Sequence, residues 1–331
     1  MSRISRIIAI MRFGKKGYTY LIVATFLIAV LLMIFFSASR YKYQDFESLQ
    51  QVRIRAMNDF VKNLDNDIHR ATYISAFRAM LALEDHVTTT GSYLADINSS
   101  FKETFYLGTI DGVQASIMDN SSFSDYLGNV RKLSEAIGIQ LYINVTNISI
   151  VQDDPWFMKV FMTLNITIID SRNTASWAIS KVYMTLIPID NLRDPLYSKN
   201  TFNRVPNTVR RLNYSTLVSG TNTAGLIEHI NGSYYIASSY APNFIMRFEG
   251  RTDPDPDGIE SIVDIRALSD QGLSVDENKI KVDYIYFNNL TYSKACNVQN
   301  VPSEYYFVIP LNRLVLYQIN GSGLNYSMTC P

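Results

Sequence analysis

Residues 17–39 contain no charged side chain, and this one unbroken run limits the possible folds more than any other feature of the chain. Its 23 residues, mostly Leu, Ile, Val, Ala, Met and Phe, reach about 34 Å as a helix rising about 1.5 Å per residue. A bilayer's hydrocarbon core is about 30 Å thick, so the run predicts a transmembrane helix. Arg3, Arg6, Arg12, Lys15 and Lys16 precede it with no acid among them, whereas Arg40 and Lys42 beyond it are soon offset by Asp45 and Glu47. Segments rich in Lys and Arg stay in the cytoplasm, which orients residues 1–16 inward and residues 40–331 outward. A cleaved secretory leader starts in the same way, and Ser37-Ala38-Ser39 offers the small residues a signal peptidase needs. The apolar core of such a leader is usually about 7–15 residues, so an anchor that stays in the membrane is the first expectation. No second apolar run of about 18 residues follows, which argues for a single span.

Two features of the remainder point the same way. The tripeptide Asn-x-Ser/Thr begins at Asn98, Asn120, Asn144, Asn147, Asn165, Asn213, Asn231, Asn289, Asn320 and Asn325. With 26 asparagines in the chain, chance would give about four such tripeptides, and the excess matches a glycosylated external surface. Enrichment of Asn, Ser and Thr in turns is the competing explanation at any single site. The only cysteines, Cys296 and Cys330, both fall in the part expected outside. A disulfide between them would close a loop of about 35 residues and stabilise the fold by roughly 3–4 kcal/mol; two buried free thiols would look the same. Beyond residue 16 the chain has 25 basic and 30 acidic residues, with no concentrated basic face to attract nucleic acid.

The pattern predicts an α+β fold in which the transmembrane helix (17–39) continues into a long amphipathic helix (40–90), followed by a mixed ectodomain with an antiparallel sheet. Apolar residues recur three or four apart at Phe46, Leu49, Met57, Phe60, Val61, Leu64, Ile68, Ala71, Ile74, Phe77 and Leu81. That stripe needs a cover, either the protein's own ectodomain or neighbouring copies. Thr88-Thr89-Thr90-Gly91 should end the helix. Ser122 and Asp125 form a capping box for a further helix over 122–137, with Phe123, Leu127, Val130, Leu133 and Ile137 on one face. The period then changes to two. Residues 139–151, 157–169 and 177–188 read as three strands of an antiparallel meander, with Asn144, Thr146, Asn165 and Thr167 on its wet face. Residues 190–224 read as irregular surface chain, and further strand-like segments are expected at 234–240, 280–286, 305–309 and 314–319, with a short helix or strand at 244–248. Residues 91–190 and 191–331 are read as two lobes of one ectodomain.

The most specific chemical pattern is Asp253-Pro254-Asp255-Pro256-Asp257-Gly258-Ile259-Glu260, with Asp264 eleven residues after Asp253. Carboxylates of Asp253, Asp255, Asp257 and Asp264, with the Ile259 carbonyl, follow the ligand spacing of a loop for Ca²⁺. Asp instead of Glu at the last position, and the two prolines, depart from it. An acidic surface turn is the competing reading. Enzyme signatures are absent. His69, His86 and His229 have no zinc-ligand spacing, and no nucleophile elbow, phosphate loop or dinucleotide fingerprint occurs, so no catalytic residue is expected. Glu84-Asp85-His86 and Glu228-His229 place acids beside imidazoles, a common chance adjacency.

Lys15-Lys16-Gly17 followed by Tyr18-Thr19-Tyr20-Leu21 and the apolar run resembles the signal of archaeal type IV pilin-like proteins. The resemblance covers at most a quarter of the chain. It implies cutting between Gly17 and Tyr18 by a membrane peptidase, after which the apolar segment starts a long helix that associates with other pilin-like subunits. The acidic or amide residue that the family often carries soon after the cut is missing, position 22 being Ile. The resulting expectation is an anchored surface protein, with the lipid bilayer and other copies or pilin-like subunits as partners and a structural or assembly role. The alternative is a monomeric cell-surface binding or adhesion ectodomain, with Ca²⁺ as a candidate stabiliser.

Overall fold

The computed structural model describes residues 15–275, 279–290, 295–298, 306–319 and 326–327. They form α1 (Lys15–Thr90), α2 (Ile97–Leu107), β1 (Thr109–Ile110), β2 (Val113–Gln114), α3 (Phe123–Ala136), β3 (Ile139–Asp154), β4 (Phe157–Asp170) and β5 (Ser176–Pro188). Short elements follow: α4 (Pro195–Asn200), α5 (Ala224–Asn231), β6 (Tyr235–Ala237), α6 (Phe244–Phe248), β7 (Ile259–Ser261), α7 (Ile265–Asp270), β8 (Lys279–Ile280), α8 (Asp283–Phe287), β9 (Ala295–Val298), β10 (Tyr306–Pro310) and β11 (Tyr326–Ser327). The class is mixed α+β with largely antiparallel sheets and an apolar N-terminal helix. Two compact units result, one reaching Leu64 and including Arg172–Ala175, the other comprising Asp65–Ser171 and Ser176–Pro331. Residues 91–190 and 191–331 thus belong, apart from that turn, to the same unit.

Helix α1 ends where Thr88-Thr89-Thr90-Gly91 implies, because Gly91 takes a left-handed φ of 63° that stops the ladder. Its buried stripe within the second unit differs from the sequence expectation. After Ile68 it runs through Thr72, Ser75, Ala76, Ala79, Leu83 and Val87, while Ile74 is 48% exposed and Ala71, Phe77 and Leu81 are half-buried. Spacings of three and four from Ile68 lead to these small residues, so the helix period outranks side-chain size and allows close packing. Ser75 donates to the Ser121 carbonyl at 3.0 Å, and the His69 ring meets Tyr183 edge-on at 4.9 Å.

The capping box predicted for α3 is complete: Ser122 accepts from the Asp125 amide at 3.1 Å and its own amide donates to the Asp125 carboxylate at 3.2 Å. Phe123 and Leu127 are buried, but Leu133 and Ile137 face outward, because the buried stripe runs on at helical spacing through half-buried Val130 to Ser134 and leaves them to one side. Helix α2, not foreseen, is capped by Asp96, whose carboxylate accepts from the Asn98 and Ser99 amides, and ends at Gly108.

Strands β3, β4 and β5 form the predicted antiparallel meander in that order. Met158, Val160, Met162, Leu164, Ile166 and Ile168 alternate onto the inner face of β4. A bulge between Val145 and Asn147 shifts the parity of β3, whose buried residues are Ile139 and Leu141 before it and Ile148 and Ile150 after it. Farther on, β6 pairs with β7, and a four-stranded sheet has the order β11-β9-β10-β8 with only β8 and β10 parallel. The strand expected over 280–286 is corrected to the two residues of β8 and then α8: Asp283, Tyr284 and Ile285 are buried in succession, which a period of two cannot achieve. Residues 314–319 form turns rather than a strand, with Leu314, Tyr317 and Ile319 buried.

Candidate functional site

The processing residues Gly17 and Tyr18 lie in the first turns of α1. Within it, Tyr20–Ala38 has a mean hydropathy of 2.8, and none of it is buried. Its single hydroxyl group in mid-span, on Thr25, donates back to the Leu21 and Ile22 carbonyls at 3.0 and 2.9 Å, so the polar group is satisfied inside the helix itself.

All eight sequon asparagines among the described residues, Asn98, Asn120, Asn144, Asn147, Asn165, Asn213, Asn231 and Asn289, are exposed. Asn207 and Asn243, which belong to no sequon, are buried and hydrogen-bonded. Asn144 and Asn165 lie directly opposite each other on β3 and β4. Asn320, Asn325 and Cys330 lie outside the described residues, and with Cys330 goes the expected disulfide to Cys296, whose backbone is in β9.

The acidic loop is a tight turn. Asp255 accepts from the Asp257 amide at 2.9 Å through its side chain and from the Gly258 amide at 3.0 Å through its carbonyl. Gly258 is required by close approach: a Cβ there would strike the carbonyl oxygens of Ala241 and Ser238. Of the five proposed ligands, Asp253 pairs with Arg251 at 3.3 Å and Asp264 caps α7 by accepting from the Arg266 and Ala267 amides at 3.0 and 3.3 Å. The Ile259 carbonyl accepts from the Arg247 guanidinium. The charges of Asp153 and Asp154 on the β3–β4 turn act on Asp257 instead. Partial burial and then the charges of Asp255, Asp153 and Asp154 push the Asp257 carboxyl above its usual range, with Lys159 opposing. Among the described residues no group of three or more His, Cys, Asp or Glu side chains is arranged to hold a metal.

A second polar constellation is wholly internal. Arg247 on α6 donates through Nη1 to Asp194 at 2.6 Å and to Asp283 at 2.8 Å, and all three side chains are 0% exposed. Tyr235 donates to Asp194 at 2.7 Å and Ser261 to Asp283 at 3.1 Å. Alongside, Arg313 donates to Glu260 at 3.2 Å and is bonded to Tyr284, while Tyr317 donates to Glu260 at 3.1 Å. Burial opposes charging of Arg247, but Asp194 and Asp283 outweigh it and hold the guanidinium ionised above its ordinary range. Burial raises the Asp283 and Glu260 carboxyls, with Arg247 and Arg313 opposing. None of these residues lines any of three cavities of about 380, 440 and 420 Å³ among the described residues. The network fastens α4, α6, β7 and α8 together. No family model, curated protein or solved structure matches the chain.

Two buried titratable groups complete the interior. His229, at the end of α5, is 0% exposed, and neither ring nitrogen has a hydrogen-bond partner among the described residues. Burial pushes its imidazole down to about 4, so the ring is neutral at ordinary pH. Glu84 on α1 accepts from the Arg193 amide at 2.8 Å, and burial raises its carboxyl to about 8. The acid and imidazole adjacencies in the sequence thus separate: Glu84 is buried beside exposed Asp85, and His229 is buried with no acid acting on it. Positions 194, 247, 260, 283 and 313 carry no mutual spacing that could have announced their network; only the fold assembles it.

Proposed function

We propose that the chain is a single-pass membrane protein of the cell surface, with residues 40–331 outside, acting in a structural or assembly role as a minor pilin-like subunit. The observation that carries this reading is Tyr20–Ala38: an apolar helical surface with a mean hydropathy of 2.8 and no burial, which water would not tolerate and lipid would. The basic residues before it set the orientation. Exposure of every described sequon asparagine supports an outward, glycosylated surface. The buried network supports a scaffold more than a catalyst, since its charged groups face each other instead of a cavity.

The pilin-like part of the reading is tested by the mature N-terminus. Mass spectrometry should find Tyr18 as the first residue; a retained Met1 refutes peptidase processing, and a start near Arg40 refutes the anchor as well. Cysteines placed at Val52 and Ile54, apolar residues of α1 that the chain leaves exposed, should crosslink between copies in the membrane, and the lack of any crosslink would favour a monomeric adhesion module. That second reading has one observation of its own, the like charge that Asp255, Asp153 and Asp154 impose on Asp257, which a bound cation would relieve. Thermal melting with and without Ca²⁺ decides it: an upward shift supports cation stabilisation, and equal midpoints exclude it.

A further inference from the structure

A groove between α2 and the bulged part of β3 encloses about 380 Å³ and is lined by Ser99, Lys102, Tyr106, Leu107, Thr146 and Asn147 among others. Residues of three sequons line it, two of them consecutive on β3 and one from α2. Ser99 belongs to the sequon of Asn98, Thr146 completes that of Asn144, and Asn147 opens the third. Their side chains are differently committed. Asn98 accepts from the Ile150 amide at 3.4 Å, and the Thr146 hydroxyl donates to the Thr163 carbonyl at 3.1 Å. Asn147 alone of the three sequon asparagines lines the groove, and it is exposed. The bulge is responsible: by shifting parity at Val145/Asn147 it sets Asn147 beside Ile148 instead of in the alternation that precedes it. Leu107 lies in the same groove yet is 54% exposed, so an apolar wall stands uncovered next to a potential attachment point.

We infer that Asn147 carries an N-linked glycan whose first sugars lie in this groove, against Tyr106 and Leu107. A sugar ring matches it chemically: its C–H face stacks on an aromatic ring and covers aliphatic surface, while its hydroxyls meet Lys102 and Ser99 at the rim. The attachment forms one bond and breaks one. The Asn147 amide nitrogen bonds to the anomeric carbon of a lipid-linked phospho-oligosaccharide, the lipid phosphate leaves with the electron pair of the broken C–O bond, and the amide gives up a proton. The inference rests on the outward placement of residues 40–331 proposed above.

The test uses the full chain extracted from its own membrane. Glycopeptide mass spectrometry should find Asn147 occupied. If other sequons carry sugar and Asn147 is bare, the inference fails and the outward placement stands; if every sequon is bare and the chain is sealed inside the cell, the placement itself fails. Packing is read by a double-mutant cycle on the melting midpoint. Ser149→Ala abolishes the sequon while keeping Asn147. With sugar in the groove, Tyr106→Ala should lower the midpoint by about 2 °C more in the glycosylated chain than in the Ser149→Ala background. The same cycle with Asn165→Gln, on the flat part of the sheet, should be additive. Additivity in both cycles would place the Asn147 glycan in solvent and overturn the inference.

Discussion

The helical stretch Tyr20–Ala38 presents an unbroken apolar surface with nothing over it, whereas Asp194, Arg247, Glu260, Asp283 and Arg313 hide charges from water almost completely. Each region inverts the usual placement of polar and apolar groups, and for different reasons. An apolar helix that its own chain leaves uncovered needs hydrocarbon or other apolar surface around it, so its explanation lies in the surroundings. A buried charge is tolerated only where the protein supplies the opposite charge and hydrogen bonds, so its explanation lies in the fold. The first region is therefore insensitive to shape and sensitive to polarity; the second is the reverse.

Putting the opposite residue into each region breaks the comparison most sharply. Arg247→Met leaves two carboxylates buried without their partner and should destabilise the second unit by about 3–5 kcal/mol, read by denaturant unfolding in detergent. Adding Asp194→Leu and Asp283→Leu should recover much of that loss, and no recovery would mean that the network does more than balance charge. In the apolar helix, Leu27→Arg should cost about 2.5–3.5 kcal/mol of membrane insertion and move part of the chain out of the membrane fraction. Unchanged fractionation would show that the run does not sit in lipid.

Buried titratable groups sharpen the contrast through pH. The His229 imidazole is held down at about 4 against an ordinary 6.5, so the unfolded chain takes up a proton first as pH falls. Its contribution is complete above about pH 6.5 and is lost toward pH 4, a span worth about 3 kcal/mol. Glu84 acts in the opposite sense: with its folded value raised from 4.5 to about 8, its contribution is complete below pH 4.5 and is lost as pH rises through 8. Stability measured against pH should lose its acid limb in His229→Leu and gain on the alkaline side in Glu84→Gln. The smallest effect belongs to the exposed acidic loop. Asp257→Asn removes like-charge repulsion and should raise stability by well under 1 kcal/mol without Ca²⁺; if Ca²⁺ stabilises the native chain, the same change should abolish that gain.

Legibility in the sequence followed how local each signal was. The meander was readable because alternation over 13 to 16 residues per strand leaves little ambiguity. Ser122 with Asp125, and Gly91 after three threonines, marked helix ends because capping is a matter of a few neighbouring residues. The core stripe of α1 is hard to see in the sequence because Thr72, Ala76 and Ala79 carry it with small side chains, while the larger Ile74 beside them faces outward. The acidic loop was found, but its partners were not: Asp153 and Asp154 come from a hairpin about a hundred residues earlier, and Asp264 is used as a cap. The Arg247 network and the groove beside Asn147 depend on tertiary contacts alone, which no local pattern encodes.

If the apolar run crosses the membrane with the later residues outside, labelling of intact cells with a membrane-impermeant amine reagent will show it. Lys102 and Lys132, both exposed in the fold, should be modified in intact cells, while Lys15 and Lys16, if retained, should react only after lysis. Protection of Lys102 and Lys132 until lysis, or recovery of the unlabelled chain in the soluble fraction, would contradict the account.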